Sequence, residues 1–182
     1  MDGVVPCHTA YYVRPYADIE YGMTATPRLA HVERCRESLT DVGTPREHFY
    51  VALLGLSTYE TSELHGRVEL GLSYEALEKL RRVLDLPMSR FAELVRIAPR
   101  TLARRKDAKR LRPDESDRLL RLARIVGLAL QLFEGGLTEA RSWLLAPHPA
   151  LGNKVPVEFA MTGVGAREVE ALIGRLEHGI PL

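Results

Sequence analysis

The densest group of side chains with a shared chemistry lies between residues 96 and 112, where eight residues are Arg or Lys and one, Asp107, is acidic. The formal net charge of the whole 182-residue chain is only +1, so positive charge is concentrated on this segment. Guanidinium and ammonium groups bind phosphates, and such a concentration is typical of a nucleic-acid-binding surface. The eight cations are Arg96, Arg100, Arg104, Arg105, Lys106, Lys109, Arg110 and Arg112.

The residues around these cations have the pattern of a helix-turn-helix at about residues 88 to 109. Phe91 and Val95 give a first short helix an apolar face, and Ala92 is small where two helices would cross. Leu102 attaches the second helix to the core. Pro99 suits the first turn of that helix because the N–H that proline lacks would be unpaired there.

A second helix of this kind lies in the major groove of DNA with its N-terminal residues at base edges. The alternative is a solvated basic helix face, which is what most charge runs are. Arg96 occupies the turn position where Gly is usual, and a left-handed backbone there costs about 1 kcal/mol or more. We therefore expect a longer or differently shaped turn. The expected DNA contacts are Arg100, Thr101, Arg104, Arg105, Lys106, Lys109 and Arg110.

The remaining reactive side chains form no catalytic pattern. The six histidines are scattered and have no HExxH or other metal-ligand spacing. Ser142 and His148 are close in sequence but lack a nucleophile elbow. Asp114, Glu115 and Asp117 are better interpreted as acids at a helix start than as a metal cluster. We expect no enzymatic activity, no metal and no cofactor.

Composition indicates the compartment. No apolar run approaches the roughly 20 residues that a membrane span needs, and the N-terminus lacks the pattern of a secretory signal. Cys7 and Cys35 have no metal-type spacing, and we interpret them as free thiols in a reducing environment. The sequence predicts a cytoplasmic protein without membrane contact.

Helical periodicity predicts an all-α chain in three parts. Residues 1–48 show no sustained period and are expected to be a leader, poorly ordered or packed as a small appendage, in which Met23 is an alternative start. Residues 49–135 are predicted to form a helical helix-turn-helix and dimerisation domain. Residues 136–182 are predicted to form a small helical C-terminal domain, whose last helix covers Gly165 to Glu177.

Turn and cap residues predict where the helices of the middle part begin. Ser57 or Thr58 is expected to cap a helix that ends near Leu70, and Ser73 is expected to start the next one. Pro113 opens the longest helix, which is predicted to continue to about residue 134 before two glycines.

This longest helix is apolar on most sides, apart from a polar stripe through Asp117, Arg121, Arg124 and Gln131. Such a helix must be buried on most sides. Two interpretations remain open: a central core helix, or a helix partly covered by a second subunit. Because a helix-turn-helix usually reads two half-sites, we expect a homodimer with this helix as the interface.

Two segments resemble the Xre/MbcA/ParS antitoxins. Residues 101–135, TLARRKDAKRLRPDESDRLLRLARIVGLALQLFEG, look like their central part, and residues 143–182, WLLAPHPALGNKVPVEFAMTGVGAREVEALIGRLEHGIPL, resemble their toxin-binding domain. The specific motifs are TLARR, PDESDRLLRLAR, the W-L-x-x-P-x-P-A-L-G turn, the T-x-x-G helix start and the final L-E-x-G. The resemblance covers about residues 49–182. Its departures are Arg96, the long leader, and Phe159-Ala160-Met161 in place of a Leu pair.

The resemblance implies an antitoxin of a two-gene toxin–antitoxin module. Its partners would be a RES-domain toxin, which is an enzyme that depletes NAD, and the operator DNA of its own operon. The toxin contacts would lie on the last helix and beyond it, where Gly179 lets the chain turn into a stiff apolar end. The alternative is a plain transcriptional regulator whose C-terminal domain senses a ligand or only dimerises. The expected toxin contacts are Val169, Leu172, Ile173, Leu176, Gly179, Ile180, Pro181 and Leu182.

Overall fold

The structure is a computed structural model that describes residues 49–57 and 60–180. The predictions for the leader at residues 1–48, including Met23 and both cysteines, lie outside the described residues, as do those for Thr58, Pro181 and Leu182.

The described residues are helical, which confirms the predicted all-α class, and their two β contacts are isolated bridges between Ser73 and Arg110 and between His148 and Lys154. No helix in this part of the chain is long and apolar enough to span a bilayer. A 3₁₀ turn at Pro149–Leu151 separates the seventh and eighth α-helices. The α-helices are α1 Phe49–Leu53, α2 Thr61–Leu70, α3 Tyr74–Leu84, α4 Met88–Leu94, α5 Pro99–Asp107, α6 Pro113–Leu132, α7 Leu137–Leu145, α8 Pro156–Phe159 and α9 Gly163–Glu177.

Several helix starts follow the predicted chemistry. The Ser73 hydroxyl accepts a hydrogen bond from the Ala76 N–H at 3.2 Å, which satisfies one of the unpaired donors at the start of α3. Pro113 is the first residue of α6, as predicted. The start of α2 was predicted wrongly, because this helix begins at Thr61 after Glu60 and not after Ser57.

The long helix α6 is the centre of the fold. It packs against α1, α2, α7 and α9. Leu119, Leu122 and Ile125 are completely buried within the single chain. Gly127 lies so close to α1 that an added Cβ would come within 3.0 Å of the Tyr50 Cβ. Most of the apolar surface of this helix is therefore buried within the single chain, as a central core helix requires.

Candidate functional site

Helices α4 and α5 form the predicted helix-turn-helix. The Ile97 N–H donates to the Ala92 carbonyl at 2.9 Å, and the Ile97 side chain is buried under the turn. Arg96 has a φ of 55°, so it adopts the left-handed conformation usually given to Gly. The expectation of a longer or reshaped turn was wrong, because the chain accepts a strained Arg at a cost of about 1 kcal/mol.

A side chain from α6 holds this turn in place. The Arg118 Nε donates to the carbonyl of Val95 at 3.0 Å, and its Nη2 contacts Asp114 at 3.2 Å. Val95 follows the last residue of α4, where helix carbonyls lack partners within the helix. The guanidinium therefore satisfies a helix end and ties the turn to the centre of the fold. The sequence shows only an i, i+4 Asp–Arg pair here, which is ordinary on a helix surface.

Most of the cations predicted to contact DNA are exposed. Arg100 and Arg104 lie four residues apart on α5 and therefore on the same side of the helix. Thr101 is half-buried. Arg110 is exposed, and its guanidinium donates to the Leu70 carbonyl at 3.1 Å. The exposed cations of the predicted set are Arg100, Arg104, Lys106, Lys109 and Arg110.

Arg105 differs from these neighbours, and its predicted role as a DNA contact is corrected. Its Nε donates to Glu115 Oε2 at 2.7 Å, and the two side chains are only 11% and 6% exposed. The hydrogen bond to Glu115 raises the pKa of Arg105 above its already high usual value, so this guanidinium stays charged. A guanidinium committed to a buried carboxylate is not available to a phosphate.

The C-terminal region begins with α7 and the turn that follows it. The His148 Nδ1 accepts a hydrogen bond from the Ala150 N–H at 3.2 Å, and the imidazole lies 5.7 Å from the Trp143 ring centroid. The backbone N–H of His148 donates to the Lys154 carbonyl at 3.1 Å, which closes the turn. Burial lowers the pKa of the His148 imidazole, consistent with a neutral ring that accepts a backbone hydrogen bond.

The T-x-x-G motif is explained by packing at the start of α9. The Thr162 Oγ1 accepts a hydrogen bond from the Gly165 N–H at 3.0 Å and caps the helix. A Cβ on Gly165 would overlap the carbonyl oxygen of Phe159, at the end of α8. Thr162 is therefore the cap, and Gly165 is a position at which α8 and α9 lie too close together for a side chain. The helix begins at Gly163, slightly earlier than predicted.

The apolar face of α9 is part of the core, which corrects the direct toxin contacts predicted there. Val169, Leu172 and Ile173 are at most 2% exposed because this face packs on α6. Leu176 is half-buried against the same core. Gly179 has a left-handed φ of 64°, as a chain turning out of a helix requires. Ile180 is 52% exposed, so the exposed apolar surface at this end lies beyond the helix.

Contacts between residues distant in sequence join the C-terminal region to α3 and to α4 of the helix-turn-helix. From α7, the Arg141 Nε donates to the Val83 carbonyl at 2.6 Å and its Nη2 to the Arg82 carbonyl at 3.1 Å, at the end of α3. Arg90 on α4 forms an ion pair with Glu158 on α8. Residue patterns within one helix carry no signal for these contacts, and sequence reasoning missed them.

A second set of contacts joins α6 to the C-terminal region. Arg124 pairs with Glu170 on α9 at 3.0 Å, and Arg121 donates to the Met161 carbonyl at 3.3 Å. In the described part of the chain, no three His, Cys, Asp or Glu side chains are grouped so as to hold a metal ion. The arrangement is therefore a basic helix and a helical C-terminal region carried by one central helix.

Comparison with known proteins assigns both regions. A model of the "Antitoxin Xre-like helix-turn-helix domain" matches residues 63–124, and a model of the "Antitoxin Xre/MbcA/ParS C-terminal toxin-binding domain" matches residues 128–179. The two matches meet inside α6. The chain is thus a helix-turn-helix protein with an attached toxin-binding domain.

Relatives name the family. The antitoxin Xre of Yersinia enterocolitica is 32% identical over 128 residues, which span 70% of this chain and 86% of that protein. The antitoxin Xre of Photorhabdus laumondii is 30% identical over the same shares of the two chains. The antitoxin Xre of Pseudomonas putida is 32% identical over 66% of this chain and 74% of that protein. This chain belongs to the Xre antitoxin family of toxin–antitoxin systems.

Proposed function

We propose that this chain neutralises a RES-domain toxin that depletes NAD and represses the operon that encodes both proteins. It acts in the cytoplasm as a homodimer, and by binding rather than by catalysis. The observation that carries the proposal is the union of a basic helix-turn-helix and a toxin-binding domain on one central helix. The resemblance of residues 101–135 and 143–182 to antitoxins of RES toxins supports the identity of the toxin.

The DNA arm of the proposal uses the exposed side of α5. Arg100 and Arg104 share that side, and an Arg can bind a guanine edge through two hydrogen bonds. Ala98, at the N-cap, supplies no side-chain hydrogen bond, so the first N–H groups of α5 have no side-chain cap and are assigned, with the cations, to bind a phosphate. We assign Thr101 to the base contacts made by the first turn of α5. The phosphate contacts are assigned to Lys106, Lys109 and Arg110.

The toxin arm uses the end of the chain rather than the buried face of α9. Gly179 turns the backbone away from the helix, and Ile180 presents apolar surface. The next two residues of the sequence, Pro181 and Leu182, are also apolar. Leu176 contributes its exposed part. From residue 133 onward the chain has six acids and four bases, a mild negative balance that suits a cleft built for a phosphate-bearing dinucleotide.

Growth measurements test the toxin arm. The toxin gene adjacent to this chain's gene is expressed in a host cell alone, with the full chain, and with a chain lacking Ile180, Pro181 and Leu182. We expect the toxin to stop growth and lower NAD, the full chain to restore both, and the truncated chain to copurify with the toxin yet protect poorly. Full protection by the truncated chain would assign inhibition to another surface.

Two further results would contradict the proposal as a whole. A neighbouring gene product that neither binds this chain nor affects growth would favour the plain-regulator interpretation. A mass measurement in solution tests the homodimer. A monomer at micromolar concentration that binds promoter DNA tightly would reject the dimeric arrangement.

A further inference from the structure

We propose that Arg105 and Glu115 form a positioning pair that sets the orientation of α5, and that Arg105 supports DNA recognition through this pair without touching DNA. The inference rests on the proposed DNA binding by α5. Arg105 is the most buried cation between residues 96 and 112. In this proposal it acts within the fold, whereas its exposed neighbours contact DNA.

The first argument is the small number of anchors on α5. Among its nine residues, only Leu102 and Arg105 are buried. An apolar contact such as that of Leu102 is non-directional and leaves rotation about the helix axis weakly restrained. A charge-assisted hydrogen bond is directional. The rotation of α5, and with it the direction of Arg100 and Arg104, therefore depends on the contact that Arg105 makes.

The second argument is that Glu115 is itself fixed. Its Oε2 accepts the Arg105 Nε at 2.7 Å and also the Arg112 N–H at 2.8 Å. Glu115 lies in the first turn of α6, so the second bond is that of a helix cap. The carboxylate therefore cannot follow α5 if that helix turns. Through this single oxygen, the basic helix is aligned with the central helix of the fold.

The third argument is electrostatic. A buried cation whose charge is cancelled by a buried carboxylate attracts no phosphate and releases no counterion on binding. Arg105 should thus contribute nothing to the salt dependence of DNA affinity, whereas the exposed Lys106 beside it should contribute one phosphate contact. Arg105 and Lys106 can therefore be compared as adjacent cations, one buried and one exposed.

The direction in which one substitution changes DNA affinity distinguishes the two possible roles of Arg105. Glu115→Gln removes a negative charge near the basic helix and keeps an acceptor for the cap. If Arg105 contacted phosphate, this change would free it and strengthen DNA binding. If the pair positions α5, the same change loosens the helix and weakens binding to the promoter. We expect a loss of about tenfold, roughly that of one lost base contact.

The experiment measures binding by fluorescence anisotropy, over a range of salt concentrations. The probes are a duplex from the promoter region upstream of this chain's gene and a scrambled duplex of the same length. The single variants are Glu115→Gln, Arg105→Lys and Lys106→Gln. The double variant Arg105→Met/Glu115→Gln removes both charges of the pair, so no buried charge is left unpaired. Thermal unfolding and copurification with the toxin report the fold of each variant.

The proposal expects that Glu115→Gln, Arg105→Lys and the double variant each weaken promoter binding and still bind the toxin. Arg105→Lys and the double variant, in which the net charge of the pair stays at zero, should leave scrambled-DNA binding and the salt slope unchanged. Lys106→Gln should lower the salt slope by about one. Tighter promoter binding by Glu115→Gln, promoter binding by Arg105→Lys equal to that of the parent, or a lower salt slope in the double variant would overturn the proposal. Arg105→Lys keeps a cation and covers the case in which the double variant does not fold.

A further variant separates this inference from the proposed function. Arg100→Ala/Arg104→Ala should abolish the preference for promoter DNA. If that variant binds like the parent, DNA recognition by α5 is wrong whatever Arg105 does. If Arg100→Ala/Arg104→Ala loses the preference for promoter DNA while Glu115→Gln binds DNA like the parent, only the positioning role of the Arg105–Glu115 pair is wrong.

Discussion

The sequence predicted a binding surface on both α5 and α9, but the predicted contact residues of the two helices differ in their exposure. Four of the five residues singled out on α5 are cations, and three of these four are exposed. Three of the residues singled out on α9 are apolar and buried against α6. Charge clusters and apolar stripes are therefore different kinds of signal. A cluster of like charge must remain near water, whereas an apolar stripe on a helix indicates the side that faces the core.

The two helices also differ in how firmly they are held. Helix α5 has two buried side chains in nine residues, whereas α9 has five buried residues and packs along the central helix. Substitutions on the apolar face of α9 should therefore affect folding first. Substitutions on α5 should affect binding first.

The largest effect is expected for Leu172→Ala on α9. Leu172 is completely buried, so truncation leaves a cavity and should lower the free energy of unfolding by about 2 to 5 kcal/mol. Chemical denaturation measures this loss, and Glu168→Ala on the exposed side of the same helix is the control, expected to change stability by less than about 0.5 kcal/mol. If Leu172→Ala left stability unchanged but abolished toxin binding, Leu172 would belong to the toxin interface, and the contrast drawn between α5 and α9 would be wrong.

A slightly smaller effect is expected at the start of α9. Gly165→Ala places a methyl group on the Phe159 carbonyl and should destabilise the chain by about 1 to 3 kcal/mol. Gly174, in the same helix, has nothing within 4 Å of an added Cβ, so Gly174→Ala should stabilise it by about 0.5 to 1 kcal/mol. Opposite signs in thermal unfolding would support the packing explanation of the T-x-x-G motif. Equal effects of the two changes would show that α8 can move away.

A moderate effect is expected where the two regions meet. Arg141→Met removes two hydrogen bonds to carbonyls at the end of α3 and should cost about 1 to 2 kcal/mol. Arg67→Met, which removes an exposed pair with Glu63, is the control and should cost less than about 0.5 kcal/mol. Hydrogen exchange should rise at Val83 and Arg82 as well as in α7. Faster exchange confined to α7 would mean that the two regions are less tightly joined than the contacts indicate.

The smallest effect is expected from pH. The folded chain holds the pKa of His148 below its usual value of about 6.5, so the unfolded chain binds a proton more readily. The stability contributed by the neutral ring is complete above about pH 6.5 and is lost as pH falls through the folded pKa. NMR titration of His148 measures the shift, and His148→Gln should remove this part of the pH dependence. A folded-state pKa at or above 6.5 would contradict the burial argument.

Local patterns predicted much of the fold. The Ser73 cap, Pro113 at the start of α6 and the helix-turn-helix follow from rules that act within a few residues. Arg105 lies three residues after Leu102 and therefore on the core-facing side of α5, a signal that the sequence analysis did not use, whereas its partner Glu115 is evident only from the fold. The same applies to Arg141, whose partners lie in another helix. Arg96 shows the limit of propensity, since the surrounding packing imposes a left-handed backbone on an unfavourable residue.

The shared central helix has a consequence for the lifetime of the protein. The helix-turn-helix match ends and the toxin-binding match begins inside α6, and α6 packs against α2 of the first match and against α7 and α9 of the second. Elements that share one core tend to open together, as a single cooperative unit. A cellular protease that captures the chain when α6 opens would destroy both regions in one event. With the function proposed for each, one degradation step would release the toxin and restore transcription of the operon at the same moment.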